Sequence, residues 1–106
     1  KIVVVLTRNP GYRKKRALKA TEQLYKRAYK KYPNLVRAIM TRNAVYNRQM
    51  KLIEKLEEEG KIFVIRPLIP TVSRMEKDYD KLQHFYMHGN RLMKKEYQGL
   101  LEYLNE

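Results

Sequence analysis

The sequence predicts a mostly helical α/β fold in which two short strands run parallel and the elements follow the order β-α-α-α-β-α. The strands are predicted at residues 2–6 and 62–65, where apolar side chains occupy consecutive positions, as in strands covered on both faces. The long helical pattern between them is the crossover that parallel strands need. A sheet of only two strands cannot by itself cover both of its faces or supply hydrogen-bond partners for its two outer edges. We therefore expect a partial domain that begins inside a larger fold, an expectation that Lys1 in place of Met also favours.

The elements between the strands follow from local signals. Asn9-Pro10-Gly11 predicts a turn after the first strand, because Pro fixes φ and Gly permits a positive φ. A basic loop, residues 12–19, leads into a short helix predicted over residues 21–31. Pro33 suits the first turn of a second helix, and Asn43 is predicted to cap the N-terminus of a third.

The second half of the chain is punctuated by glycine and proline. Gly60 is predicted to end the third helix, and the second strand follows directly. Pro67 and Pro70 stop that strand, and a long helix is predicted from Asp78 onward. Its apolar face recurs every three or four residues, at Leu82, Tyr86, Gly89, Met93, Tyr97, Leu100 and Leu104. Because Gly89 falls in phase on this face, we expect a close helix contact there rather than a break.

Composition limits the class of protein. The chain of 106 residues is predicted to be a single domain or part of one, in which residues 1–31 form the first strand, a basic arm and the short helix, and residues 32–106 the rest. Without cysteine it has no disulfide, thiolate zinc site or thiol nucleophile, which favours a reducing, cytoplasmic location. No apolar run approaches the length of a membrane span, so contact with a membrane is expected to be peripheral.

The positive charge is concentrated near the N-terminus. Residues 1–31 hold eleven Lys and Arg side chains against the single acid Glu22, which is +10 of the formal +13. Residues 8–31 thus form a basic arm on a nearly balanced remainder. Such a patch suits phosphate oxygens, and equally a solvated face. The residues predicted to bind lipid or phosphate are Arg13, Lys14, Lys15, Arg16 and Lys19.

Candidate catalytic residues are few. Ser73 is the only serine and lacks the flanking glycines of a nucleophile elbow, so we expect a structural role. His84 and His88 lie four residues apart, with Asp80 one turn earlier, but no third metal ligand accompanies the two histidines. Surface histidines beside an acidic partner are the preferred interpretation, and no metal or other cofactor is predicted. The acidic residues 57–59 are read as a solubilising or pairing surface.

Nine tyrosines and no tryptophan leave a nucleic-acid-binding module as an alternative. Tyr12, Tyr25, Tyr29 and Tyr32 lie in or beside the basic arm, where rings could stack on bases. No helix-turn-helix signature, RNP-like strand or zinc-finger spacing accompanies them. Tyrosines at helical intervals are also typical of amphipathic packing, so nucleic acid is the less favoured partner.

Three segments together resemble the C-terminal region of bacterial patatin-like phospholipases. They are VVVLTRNPGYRKK at residues 3–15, EKLEEEGKIFVIRP at residues 54–67 and RMEKDYDKLQHFYMHG at residues 74–89. The GYRKK loop, the GKIFVIRP strand and the EKD-x-x-KL helix start are the most specific parts, and the resemblance spans nearly the whole chain.

The resemblance implies a serine acyl hydrolase of α/β fold in the full-length protein, with a Ser on a G-x-S-x-G elbow and an Asp in an Asp-Gly loop. This sequence has neither motif and no glycine-rich loop, so no catalytic residue maps here. The implied function is a non-catalytic C-terminal domain that packs on its own N-terminal catalytic domain while the basic arm faces anionic lipid. We also expect that the isolated chain can form a homodimer that covers its exposed strand edge or its apolar surface.

Overall fold

A computed structural model describes all residues, 1–106. The chain forms two strands and three helices, in the order β1 (Val3–Val5), α1 (Lys19–Ala28), α2 (Pro33–Glu58), β2 (Phe63–Ile65) and α3 (Tyr79–Asn105). The predicted fold class is confirmed: the protein is mostly helical, and its two short strands pair in parallel. None of the helices has an apolar stretch long enough to cross a membrane.

The two strands form a sheet in which Val3 lies opposite Phe63 and Val5 opposite Ile65. Hydrogen bonds flank this ladder, since the Phe63 amide donates to the Ile2 carbonyl at 3.0 Å and the Leu6 amide to the Ile65 carbonyl at 2.8 Å. The expectation that both strands are covered on both faces is wrong for β1, where only the middle residue is half-buried. Within the apolar run Val4 and Leu6 are half-buried and the other three residues are exposed, whereas β2 is half-buried throughout.

The chain between the strands differs from the prediction in one respect. Pro33 opens α2 as expected, but the predicted second and third helices are one helix of 26 residues. Asn43 is therefore not an N-cap but lies in the helix interior, where its side chain donates to the Lys15 carbonyl at 2.6 Å. Asparagine side chains form hydrogen bonds with backbone groups both at helix N-caps and in helix interiors, so the residue type alone did not distinguish the two positions.

Both predicted glycine turns are confirmed. Gly11 has φ of +77° and the Tyr12 amide donates to the Asn9 carbonyl, as in a type II turn with Pro at its first central position. Gly60 has φ of +67° after the last turn of α2. The Lys61 amide donates to the Leu56 carbonyl there, and the Gly60 amide to the Glu57 carbonyl, which is a Schellman ending.

α3 begins where predicted, since the Asp78 carboxylate accepts hydrogen bonds from the amides of Asp80 and Lys81. The helix continues through Gly89 without a break, but the expected close contact there is wrong, because the position faces open space. Gly99 is instead the glycine of α3 that faces the sheet, where a Cβ would make an ordinary van der Waals contact, 3.7 Å from the Phe63 ring. A glycine in phase with the apolar face does not by itself determine which turn of the helix meets the sheet.

The chain divides into two compact units. The strand unit comprises Lys1–Tyr12 and Leu56–Glu106, and the helical unit comprises Arg13–Lys55. Buried apolar side chains in the strand unit are Ile62, Pro67, Leu92 and Tyr103, while Val36 is the one buried residue of the helical unit. Burial this sparse leaves many large apolar side chains exposed in both units.

Tyr103 is the hub of the strand unit and is only 7% exposed. Its hydroxyl accepts a hydrogen bond from the Ile2 amide at 3.0 Å and lies 3.1 Å from the carbonyl oxygens of both Ile2 and Lys61. Its ring packs 5.8 Å from the Phe63 ring, centroid to centroid. One side chain of α3 thus ties together the residues that precede each strand.

Candidate anion-binding site

Residues 13–15 of the basic loop are held along α2 by three of its side chains. The Arg13 guanidinium donates to both carboxylate oxygens of Glu54, at 2.8 and 2.9 Å. Asn47 donates to the Lys14 carbonyl and accepts from the Lys14 amide, both at 2.9 Å. With the bond from Asn43 to Lys15, each of three successive loop residues has a partner on α2.

The sequence builds this attachment from helical spacing. Asn43, Asn47 and Glu54 are separated by four and seven residues, which places them on one face of α2 at successive levels. The loop residues meet them in reverse order, so the basic loop runs antiparallel to the helix. Side chains of α2 therefore hold residues 13–15 in place, through the Arg13 side chain and the backbone of Lys14 and Lys15. The loop has no secondary structure of its own.

The five residues predicted to bind phosphate fall into two groups. Arg13 is engaged with Glu54, and the Lys14 ammonium lies 4.4 Å from the centroid of the Tyr46 ring, a cation–π contact. Lys15, Arg16 and Lys19 are exposed. The side chains of Arg13 and Lys14 thus contact α2, whereas the side chains of Lys15, Arg16 and Lys19 are exposed to solvent.

Two adjoining grooves lie against α2 within the helical unit, one formed chiefly with the basic loop and the other with α1. One has a volume of about 440 Å³ and includes Lys14, Arg16 and Asn43 in its walls. The other has a volume of about 560 Å³ and includes Lys26, Lys30 and Arg37. Glu22, Met40 and Thr41 line both grooves. The surface between the helices is therefore basic, with one carboxylate at its centre.

Glu22 is held in its charged form by its neighbours. The Lys26 ammonium donates a hydrogen bond to it, with 2.9 Å between the charged atoms, and this bond with the accompanying attraction lowers the pKa of Glu22 below its ordinary value. Arg16 and Lys19 lower it further, and desolvation opposes them. A lowered folded-state pKa means that the pair stabilises the fold above the unfolded-state pKa, and that this contribution disappears as pH falls through the folded-state value.

Replacing Lys26 by glutamine is expected to raise the pKa of Glu22 toward its ordinary value, because the largest cause of the lowering is removed. Lys19→Gln, which removes a smaller contribution, serves as the matched control and is expected to shift it less. Carbon-13 NMR of the Glu22 carboxyl across a pH titration measures both. A titration midpoint unchanged by Lys26→Gln would contradict this assignment.

The other candidate residues do not form a reactive site. His84 is exposed, whereas His88 is half-buried and its Nε2 accepts a hydrogen bond from the Leu68 amide at 3.0 Å, so it is a structural acceptor rather than a surface partner of an acid. No group of three or more His, Asp or Glu side chains is placed to hold a metal ion. Ser73 lies exposed in the loop before α3, where its carbonyl accepts from the Glu76 amide.

The acidic residues at the end of α2 make ion pairs. Glu57 pairs with Arg66, and Glu59 with Lys61 at 2.7 Å. These contacts favour the pairing interpretation of residues 57–59 over a solubilising one. They lie in the strand unit, away from the basic loop in sequence, and add no carboxylate to the helical unit.

Sequence reasoning missed the residues that order the basic loop. Asn43, Asn47 and Glu54 were not identified as its partners, nor were Lys26, Lys30 and Arg37 as walls of the grooves. The signal available was two asparagines one turn apart on an otherwise helical stretch, each with the capacity to bond a passing backbone. Nothing in the sequence showed which segment of backbone these asparagines would bind.

Comparison with known proteins gives one match. Residues 32–105 match the family described as "Domain of unknown function (DUF6363)", a range that contains α2, β2 and α3. No curated protein and no solved structure matches the chain. Since the matched residues make up more than half of the sequence, the chain belongs to the DUF6363 family.

Proposed function

We propose that this chain is a non-catalytic accessory domain that packs on the catalytic domain of a patatin-like serine acyl hydrolase, and that its basic arm contacts anionic lipid. The proposal rests on the resemblance of the three sequence segments and on one structural observation, the open edge of β1. The chain carries no G-x-S-x-G and no Asp-Gly pair, in keeping with chemistry performed by another domain.

The open edge of β1 presents both apolar side chains and backbone groups. Ile2 and Leu6 use their backbone groups toward β2, and directions alternate along a strand, so the N–H and C=O groups of Val3 and Val5 point away from it. The Val5 side chain is 69% exposed. An exposed apolar edge of this kind is a template for another strand, which would pair the free backbone groups and cover the valines.

The lipid contact is supported by the arrangement of the basic loop. The Lys15 backbone is held by α2, Arg16 follows it directly in the chain, and Lys19 is the first residue of α1. The three exposed cations thus lie on or beside ordered backbone, so little ordering entropy is lost when a phosphate group binds. Each cation near an anionic membrane surface contributes about 1 kcal/mol of attraction. The ordered loop therefore suits a headgroup surface better than a mobile tail of equal charge would.

The docking proposal is tested by binding of the 106-residue chain to a separately purified patatin-like catalytic domain. Val5→Pro removes the N–H that faces the open edge but no bond to β2, so the variant is expected to keep its own fold. We expect it to weaken the complex at least tenfold, or about 1.4 kcal/mol, since an added strand loses a hydrogen bond and meets the proline ring.

Val5→Thr is the matched control, because threonine keeps both the N–H and the branched shape at this position. It is expected to bind nearly as well as the unchanged chain. Equal affinities for Val5→Pro and Val5→Thr, or no complex at all, would refute docking through this edge. A homodimer in light scattering that Val5→Pro dissociates would instead assign the edge to a second copy of the chain.

A further inference from the structure

α1 has an exposed apolar stripe that the fold leaves without cover. Ala20, Leu24 and Ala28 recur every four residues on one face of the helix, and all three are exposed. Leu24 is 64% exposed, and no residue of α1 is buried. A helix in a protein interior would place such a stripe against a partner.

Cations surround this stripe. The helix and the turn that follows it carry Lys19, Lys26, Arg27, Lys30 and Lys31, and the one acid among them, Glu22, is paired with Lys26. Arg27 lies close to the stripe on the helix circumference, by its spacing of three residues from Leu24, and Lys31 lies in the turn after the helix. An apolar face bordered by cations is typical of helices that lie in the surface of an anionic bilayer.

α1 is also loosely attached. Val36 is the one buried side chain of the helical unit, and the larger groove opens between α1 and α2. Leu18, at the N-cap position, makes no side-chain cap bond, so the ten-residue helix lacks a usual source of stability. Tyr29 and Tyr32, both exposed, follow the helix and supply rings of the kind that favour the headgroup region.

We propose that α1 is an interfacial membrane helix, which inserts the Leu24 face into anionic bilayers while the flanking cations contact the lipid phosphates. This inference deepens the lipid contact proposed above and rests on it. It adds an apolar contribution, specific to α1, to the electrostatic attraction of the basic loop. The occupant is a lipid bilayer rather than nucleic acid, because a polyanion offers no apolar phase to Leu24.

The chain has no tryptophan, so a single introduced tryptophan can serve as a fluorescent probe of its surroundings. Leu24→Trp places it on the exposed face of α1, and vesicles of mixed phosphatidylcholine and phosphatidylserine are the probe. We expect a blue shift of its emission and quenching by lipids brominated on their acyl chains. Leu104→Trp is the matched control, since Leu104 is also an exposed helical leucine but is bordered by Glu102 and Glu106. No shift is expected for it.

The affinities of alanine variants for the vesicles are the second measurement. Leu24→Ala is expected to weaken vesicle binding about tenfold, because a buried branched side chain is lost from the lipid phase, and Leu104→Ala less than about twofold. If the chain binds anionic vesicles but the emission of the Leu24→Trp variant neither shifts nor is quenched, α1 does not insert, and the electrostatic proposal alone survives. If the unchanged chain does not bind anionic vesicles, both proposals fail. Equal shifts with neutral vesicles would overturn the role of charge.

Discussion

Replacing Tyr103 by alanine is expected to lower the free energy of unfolding of the strand unit by about 3–5 kcal/mol, the largest effect of any single substitution proposed. The change removes a buried aromatic ring from a core that has few other buried side chains. It also leaves the Ile2 amide and one of two carbonyl groups, those of Ile2 and Lys61, without their hydroxyl partner. A loss of this size is a large share of the total stability of a small domain.

Urea unfolding followed by circular dichroism measures the effect. Tyr103→Phe keeps the ring against Phe63 and removes only the hydroxyl, so a smaller loss of about 1–2 kcal/mol is expected. Tyr97→Ala on the same helix is the control for helix propensity, since Tyr97 is 55% exposed, and should change stability by less than about 0.5 kcal/mol. Equal losses at positions 97 and 103 would show that Tyr103 is not the hub of this unit.

Neutralising the three exposed residues of the basic loop, as Lys15→Gln, Arg16→Gln and Lys19→Gln together, is expected to weaken binding to anionic vesicles about 100-fold. Three charges at about 1 kcal/mol each give about 3 kcal/mol, which corresponds to slightly more than two decades in affinity. The loop itself should remain ordered, because the bonds from α2 go to Arg13 and to the backbone of Lys14 and Lys15. Vesicle sedimentation with neutral and anionic lipid measures the change.

The matched control neutralises three exposed cations of α3, as Arg91→Gln, Lys94→Gln and Lys95→Gln. Net charge falls by the same amount, so a lipid affinity that depended on total charge alone would fall equally in both variants. We expect the α3 variant to lose less than about fivefold, because its cations lie outside residues 8–31, which carry most of the net charge. Salt-dependent binding to single-stranded or duplex nucleic acid, without binding to anionic vesicles, would favour the nucleic-acid alternative.

Much of the fold was predictable because it depends on signals a few residues long. Pro33 at the start of α2, Asp78 at the N-cap of α3 and the positive φ of Gly11 and Gly60 all follow from the local preferences of those residue types. The parallel pairing of the strands followed from their long helical connection. In each case the physical cause lies within one turn or one connection of the chain.

The errors involve residues whose partners are distant in sequence. Asn43 has the side chain of a helix cap, but a loop 28 residues earlier uses it instead. Gly89 and Gly99 are both glycines of α3, and only the placement of Phe63 puts the second rather than the first beside a side chain of the sheet. The consecutive valines of β1 predicted a strand correctly but not its exposure, since cover depends on what else packs nearby.

The candidate site divides in the same way. The sequence by itself determined that positive charge gathers in residues 8–31 and that no G-x-S-x-G elbow is present, because composition and spacing fix both. Only the tertiary structure decided which of these cations pair with a protein side chain and which are exposed to solvent. Arg13 is held by a carboxylate 41 residues away, while Lys15, Arg16 and Lys19 stay exposed, because a charge is free or paired according to the side chain that folding brings beside it.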